Sequence, residues 1–277
     1  MTLVGLCQGC FTSGAKINLN KKNGAFICEK CMEELWWQRK NMTVVHAEKK
    51  PKKWVNTLTM KIEINYSPCF HIIVRDIFTS KENKEILKEA LSLEDKFLDS
   101  VIGQDGKIDK NFRSNRTALY DNIYTPSSKR QESTLLRKIE DVFRSREIAD
   151  ILASSEYPLT EFARTNTHET QVSRYGDNEQ YKWHIDDMGV GQTRKITFVY
   201  YFHTTPKKFS GGEFEISNMP IHNGELQCEG EVKRIAVENN MMVIFSSNKA
   251  HRVVPTKSPK TFKDGRFSVN CWVGMKW

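Results

Sequence analysis

No run of apolar residues in this 277-residue sequence approaches the ~20 needed to cross a bilayer as a helix. The opening residues, MTLVGLCQGCF, lack the charged n-region and small-residue cleavage site of a secretory signal. No internal repeat is present, which argues against solenoid architectures. Without a secretion signal, disulfides are the poorer explanation for the seven cysteines, and a cytoplasmic protein with no membrane partner is expected. The length accommodates one large β-rich domain plus something small.

Charge is in excess but unevenly placed. Residues 1–60 hold ten Lys/Arg and four Asp/Glu, so most of the formal +8 lies at this end. Four of the cysteines fall in the same region as Cys7-x-x-Cys10 and Cys28-x-x-Cys31, separated by 17 residues. Two such pairs in a reduced compartment have the spacing of a structural Zn(II) site with four thiolate ligands. Asn23-Gly24 between them signals a short hairpin. About forty residues bury too little core to be stable alone, and a metal is a usual remedy. We therefore assign residues 1–40 to a zinc-ribbon-like module, 41–58 to a basic linker containing K-K-P-K-K, and 59–277 to the main domain. Four thiolates and one zinc would lower the local positive charge, which weakens a nucleic-acid reading of this end. Protein docking and plain structural support stay open for the module.

In the main domain, Met60–Asn65 and Phe70–Val74 read as strands. A helix is expected over Lys84–Leu98 with Ser80 as its N-cap, and a second amphipathic helix over Leu135–Leu152. Residues 103–130, with Arg113 and Arg116, read as polar loop. From about Thr170 the pattern changes to strands at short intervals: 170–175, 181–186, 194–203, 212–216, 231–237, 241–246, 251–255 and 266–273. That spacing suggests an antiparallel sandwich or barrel.

The stretch Y-K-W-H-I-D, residues 181–186, carries the chemistry. On a strand His184 and Asp186 project to one face, Trp183 and Ile185 to the other. An imidazole beside a carboxylate is two thirds of a facial metal triad of the kind that holds non-haem Fe(II) with open positions. Of the seven histidines, His251 is the best third ligand, because it opens H-R-V-V-P just after the apolar strand Met241–Phe245. Further on, Arg266, Ser268, Asn270 and Trp272 share one strand face. An arginine turned into a barrel is costly unless it meets an anion, and its guanidinium suits a carboxylate.

Taken in order, Y-G-D-N-E-Q-Y-K-W-H-I-D, R-K-I-T-F-V-Y-Y-F, F-S-G-G-E-F-E-I, H-R-V-V-P and G-R-F-S-V-N-C-W resemble the 2-oxoglutarate- and Fe(II)-dependent dioxygenases. Within them the prolyl 4-hydroxylase-like branch is the nearer. The resemblance runs roughly from Phe70 to Trp277 and is sharpest from Tyr175 on. It implies a fold that is mainly β with flanking α-helices, built on a double-stranded β-helix of the jelly-roll or cupin type. It also implies that His184, Asp186 and His251 hold iron, and that Arg266 with the Tyr201 hydroxyl binds the distal carboxylate of 2-oxoglutarate. Tyr175, Arg194 and Trp272 match positions around the cosubstrate and the target proline. O2 is then the second cosubstrate, and ascorbate joins the implied cofactors. The expected reaction is hydroxylation of a prolyl residue in a protein substrate, with release of succinate and CO2. Oxidation of nucleic acid delivered by the basic module, oxidation of another protein side chain, and an inert zinc-ribbon adaptor are its rivals. Gly211 and Gly212 read as turn formers. The segment between His251 and Arg266 is longer than the family's and reads as a surface loop.

Overall fold

The computed structural model describes residues 60–103, 106–143, 145, 148, 167–187, 192–257 and 261–276. Nearer the N-terminus it describes the backbone of Leu3–Gly5 (β1), Ala15–Leu19 (β2) and Phe26–Cys28 (β3). The chain divides into two units, Met1–Thr57 and Leu58–Trp277. In the first, β1, β2 and β3 form one antiparallel sheet, with β2 and β3 making the hairpin expected about Asn23-Gly24. Cys7, Cys10, Cys31 and the linker expected at 41–58 lie outside the described residues, and of Cys28 only the backbone is described.

The second unit begins with strands Lys61–Asn65 (β4), His71–Arg75 (β5), Leu98–Asp99 (β6), Arg116–Leu119 (β7), Thr167–Tyr175 (β8), Tyr181–His184 (β9) and Gln192–Phe202 (β10). It continues with Ser210–Gly211 (β11), Phe214–Ser217 (β12), Ile221–His222 (β13), Glu225–Leu226 (β14), Val232–Ile235 (β15), Met241–Ser246 (β16), Ala250–Val253 (β17), Thr256–Lys257 (β18) and Arg266–Lys276 (β19). Helices Ser80–Ser92 (α1), Tyr120–Ile123 (α2) and Thr134–Phe143 (α3) interrupt them.

Eight strands pair in the order β4-β5-β16-β10-β19-β8-β7-β6, and four in the order β15-β12-β17-β9. Strand parity decides what each face does. Phe198, Tyr200 and Phe202 of β10 turn toward Ile86 and Ala90 of α1 and Leu135, Leu136 and Ile139 of α3. The alternate residues Val199 and Tyr201 turn the other way and join Ile73, Val243 and Phe245 against Phe214 and Ile216 of the smaller sheet. The large sheet is therefore buried on both faces across its middle. Helices cover one face and the four-stranded sheet covers the other. This mixed α/β arrangement around a multi-stranded antiparallel core is consistent with the expected double-stranded β-helix. Among the described residues no helix is long and apolar enough to cross a membrane.

Several local expectations are corrected. The α1 N-cap is Thr79, not Ser80. Its hydroxyl accepts from the Glu82 backbone N–H at 3.2 Å, and the Glu82 carboxylate accepts from the Thr79 N–H at 2.9 Å. Thr79-x-x-Glu82 is a capping box, which outcompetes a lone serine one residue on. The helix ends at Ser92, short of Leu98, so that Phe97 can turn fully into the core. Residues 103–130 are not all loop, because Ala118 of β7 is buried beside Val172 and draws that strand onto the sheet edge. The second helix, expected to run to Leu152, ends at Phe143, with Leu136 and Ile139 buried as the helical spacing requires, and Ser145 beyond it is not helical. Residues 149–152 lie outside the described residues. The insertion before Arg266 is anchored: Phe262 packs edge-on to Phe97 and Phe267, at 5.1 and 5.4 Å between ring centroids.

Candidate active site

β17 runs antiparallel to β9 with His251 and His184 as direct partners, and this register brings the two imidazoles together on the inner face of the small sheet. Asp186 follows just past the end of β9, where its backbone N–H donates to the Ser247 carbonyl at 2.8 Å. All three side chains are buried, and one ligand atom from each lies within 4.8 Å of the others. His251 Nε2 is 3.3 Å and His184 Nε2 3.8 Å from the Asp186 carboxylate oxygens.

Each histidine's Nδ1 faces a backbone carbonyl, Lys182 O at 2.8 Å for His184 and Lys249 O at 2.9 Å for His251. A ring nitrogen in that position carries the proton, so both Nε2 lone pairs point to the centre, as metal ligation requires. Burial, with the neighbouring His251 ring acting in the same direction, pushes the His184 pKa well down and keeps the ring in its neutral, ligating form. Burial opposes charge on Asp186, yet the imidazoles beside it, His251 foremost, hold its carboxyl well below the usual carboxylate range. The Trp272 indole N–H favours the same carboxylate electrostatically without reaching hydrogen-bond geometry. Two neutral imidazoles and a carboxylate converging on one point are the donor set suited to Fe(II).

Arg266 opens β19 and is only 1% exposed. Its Nε donates to the Gly212 carbonyl at 2.7 Å and its Nη1 to the Ser268 hydroxyl at 3.4 Å. The guanidinium lies 4.7 Å from the centroid of Tyr175 and 5.0 Å from that of Tyr201. Its Nη2, the Tyr201 hydroxyl and the Thr256 hydroxyl are buried without hydrogen-bond partners. Buried polar atoms left unpaired are rare, and a buried guanidinium needs an anion. Among the described residues no carboxylate supplies one, so the pocket fits the distal carboxylate of a 2-oxo diacid. Gly212 is more than a turn former. Its positive φ of 68° and the 2.7 Å that would separate an added Cβ from Arg266 Cδ show that glycine is needed to seat the arginine.

Arg194 reaches the same interior by a departure from strand parity. The β10–β19 register slips between Arg194 and Ile196, so Lys195 is an extra residue. Without that bulge Arg194 would share the helix-facing side of Ile196. With it, the guanidinium lies 3.8 Å from the Trp272 ring and pairs with Glu169 at 2.8 Å.

Four further side chains complete the site without having been singled out from the sequence: Thr197, Ser247, Tyr181 and Arg113. Thr197 donates its hydroxyl hydrogen to Asp186 Oδ2 at 2.9 Å, and the Ser247 hydroxyl, 2.9 Å away, must then be the donor to Thr197. Tyr181 stacks on the His184 ring at 3.5 Å, and Arg113 lies over the other face of Tyr181 at 4.5 Å. Burial, partly offset by Arg113, raises the Tyr181 phenol to about 12. Only Thr197 carried a prior signal, through its shared face with Tyr201.

Residues 170–274 match the family described as the 2OG-Fe(II) oxygenase superfamily. An uncharacterized PKHD-type hydroxylase of Synechocystis sp. is 25% identical over 226 residues, covering 79% of this chain and 68% of the relative. In fold, the chain is similar to a Trichoplax adhaerens prolyl hydroxylase solved with a hypoxia inducible factor oxygen degradation domain peptide fragment. That similarity has a TM-score of 0.52 and 17% identity, over 74% of this chain and 83% of that one. A Pseudomonas putida prolyl-4-hydroxylase gives 0.50 and 14%, over 74% and 92%. The buried triad and the match over residues 170–274 are those of an iron(II)- and 2-oxoglutarate-dependent dioxygenase, and the chain is similar to the prolyl-hydroxylase-like branch of these oxygenases.

Proposed function

We propose that this dioxygenase hydroxylates a prolyl residue in a protein substrate, releasing succinate and CO2. The observation that carries the reading is the Arg194–Trp272 stack, held by Glu169, on the face of the large sheet that turns toward the small sheet and its triad. A flat aromatic wall with a cation across it suits an extended peptide whose carbonyls need donors and whose pyrrolidine ring needs an apolar surface. The likeness to two prolyl hydroxylase folds supports the same reading.

In this scheme His184, Asp186 and His251 hold Fe(II), and Arg266 with Tyr201 grips the distal carboxylate of 2-oxoglutarate beside Tyr175. Bound there, iron, 2-oxoglutarate and O2 supply an oxidant able to hydroxylate an unactivated C–H, chemistry no side chain performs unaided. The protein's share is to keep Asp186 ionised and the His184 ring neutral, and to aim both Nε2 atoms at the centre. Ascorbate serves as accessory reductant. We assign Cys7, Cys10, Cys28 and Cys31 to a structural Zn(II), on the support of their spacing. We place the protein in the cytoplasm, on the support of the thiols of Cys69, Cys228 and Cys271, which form no disulfide.

The test offers the enzyme, with Fe(II), 2-oxoglutarate and O2, proline-bearing peptides and candidate proteins. The expected result is a one-oxygen mass increase on proline that tracks succinate release. Oxidation of another side chain, with every proline unmodified, would sink the proposal. Turnover of RNA or DNA, with binding that falls steeply with salt, would favour the nucleic-acid reading instead.

A further inference from the structure

The reverse side of the four-stranded sheet carries a line of side chains that nothing in the reaction uses. Glu215 of β12 is 2% exposed, yet both its oxygens are engaged. Arg234 of β15 donates from Nε to Oε1 at 2.6 Å, and Arg252 of β17 from Nε to Oε2 at 2.6 Å. The Arg252 guanidinium in turn lies 4.9 Å over the ring of Trp183 in β9. Arg234, Glu215, Arg252 and Trp183 thus run across all four strands in their order β15-β12-β17-β9. One residue over, on the inner face, stand Ile216, His251 and His184.

The register is irregular at this place. His251 pairs with His184 but Val253 pairs with Tyr181, so Lys182 and Trp183 both stand opposite Arg252. This is a β-bulge, a device that re-aims side chains beside functional sites and that has to be held in place. The bulged residues also supply the Lys182 carbonyl that orients the His184 ring. An alanine or valine pair would complete a sheet here at less cost than a buried carboxylate shared by two arginines.

We propose that the Glu215–Arg252–Trp183 line is a positioning device. It locks the bulge from behind and so sets the spacing and tilt of His184 against His251. Arg234 closes the free end of Glu215 and is of lesser weight. The proposal rests on the metal-centre reading above.

Protein kept loaded with Zn(II) at the four cysteines but free of metal at the triad, titrated with Co(II) alone, tests it, with affinity and the visible ligand-field spectrum read together with the thermal midpoint before Co(II) is added. Glu215→Gln and Arg252→Met are expected to weaken Co(II) about tenfold or more and to alter the spectrum, as changes behind metal ligands do. Arg234→Ala, which leaves the Arg252–Trp183 contact intact, is expected to stay within about twofold of wild type. Wild-type affinity and spectrum in Arg252→Met would overturn the proposal, even if the midpoint fell, and so would an equal loss in Arg234→Ala. If Glu215→Gln fails to fold, Arg252→Met decides alone. A wild-type protein that binds no Co(II) would instead overturn the metal-centre reading itself.

Discussion

Replacing Arg266 by alanine separates cosubstrate recognition from everything else the barrel does. The arginine is fully buried, donates to Gly212 and Ser268, and keeps one Nη free beside the Tyr201 hydroxyl. If that free edge meets a carboxylate, its loss removes at least one charge-assisted hydrogen bond, ~1.5–3 kcal/mol. At a factor of ten per ~1.4 kcal/mol, 2-oxoglutarate should bind about ten to a hundred times more weakly. Folding responds less, because two opposing terms cancel. The variant loses contacts with the Tyr175 and Tyr201 rings, each worth ~0.5–2 kcal/mol, but also sheds a buried cation that lacks a counter-ion. Metal affinity should be unchanged, since none of the three ligands touches the guanidinium. Calorimetric titration of 2-oxoglutarate into the Mn(II)-loaded protein, run beside Mn(II) titration of the metal-free protein, reads the two quantities apart. Wild-type 2-oxoglutarate affinity in the variant would show that the anion pocket is misassigned.

Thr197→Val keeps the side chain's shape but removes the hydrogen bond to Asp186 Oδ2. Metal affinity is expected to fall about ten- to a hundredfold, with 2-oxoglutarate binding to the loaded protein little changed, both readable in the same titrations. Thr79→Ala removes the capping box of α1 and should cost ~0.5–2 kcal/mol in urea unfolding with no effect on metal binding. His71 and His203 have their pKa lowered chiefly by burial. A lowered folded pKa means that the unfolded chain takes up protons first as pH falls through about 6.5, so stability is lost on the acid side. The slope should stay below about 1.4 kcal/mol per pH unit for each histidine, the value for a full proton taken up, and urea unfolding of metal-free protein between about pH 7 and 5.5 measures it. A stability that rises over that interval contradicts the assignment of both rings as buried and neutral.

The parts of the site that follow strand parity were legible in the chain. His184 with Asp186, and Arg266 with Ser268 and Trp272, lie on the faces that a period of two assigns them. The pairing of β17 with β9 places His251 where the apolar strand before it suggested. What escaped depends on breaks in that period or on partners with no sequence mark. Arg194 reaches the interior only because Lys195 is extruded from the register. The hydroxyls of Thr197 and Ser247 look like any other polar residues until the fold brings them under Asp186. Gly212 reads as a turn, and only the seat of Arg266 shows why a side chain there is excluded. Ser80 was a reasonable cap by composition, but Thr79 has the glutamate three residues on. Strand β7, next to the edge strand β6, was hidden among Asn, Arg and Ser because a single buried residue, Ala118, anchors it.

The central claim is a metal centre that binds 2-oxoglutarate through three named ligands. Its most direct test is an anaerobic titration of the purified protein with Fe(II) and 2-oxoglutarate, watched for the visible charge-transfer band of the chelated cosubstrate. The band should appear in the wild type and vanish in His251→Ala, while far-ultraviolet circular dichroism stays that of the folded protein. No band in a folded wild type, or an undiminished band in His251→Ala, would contradict the account.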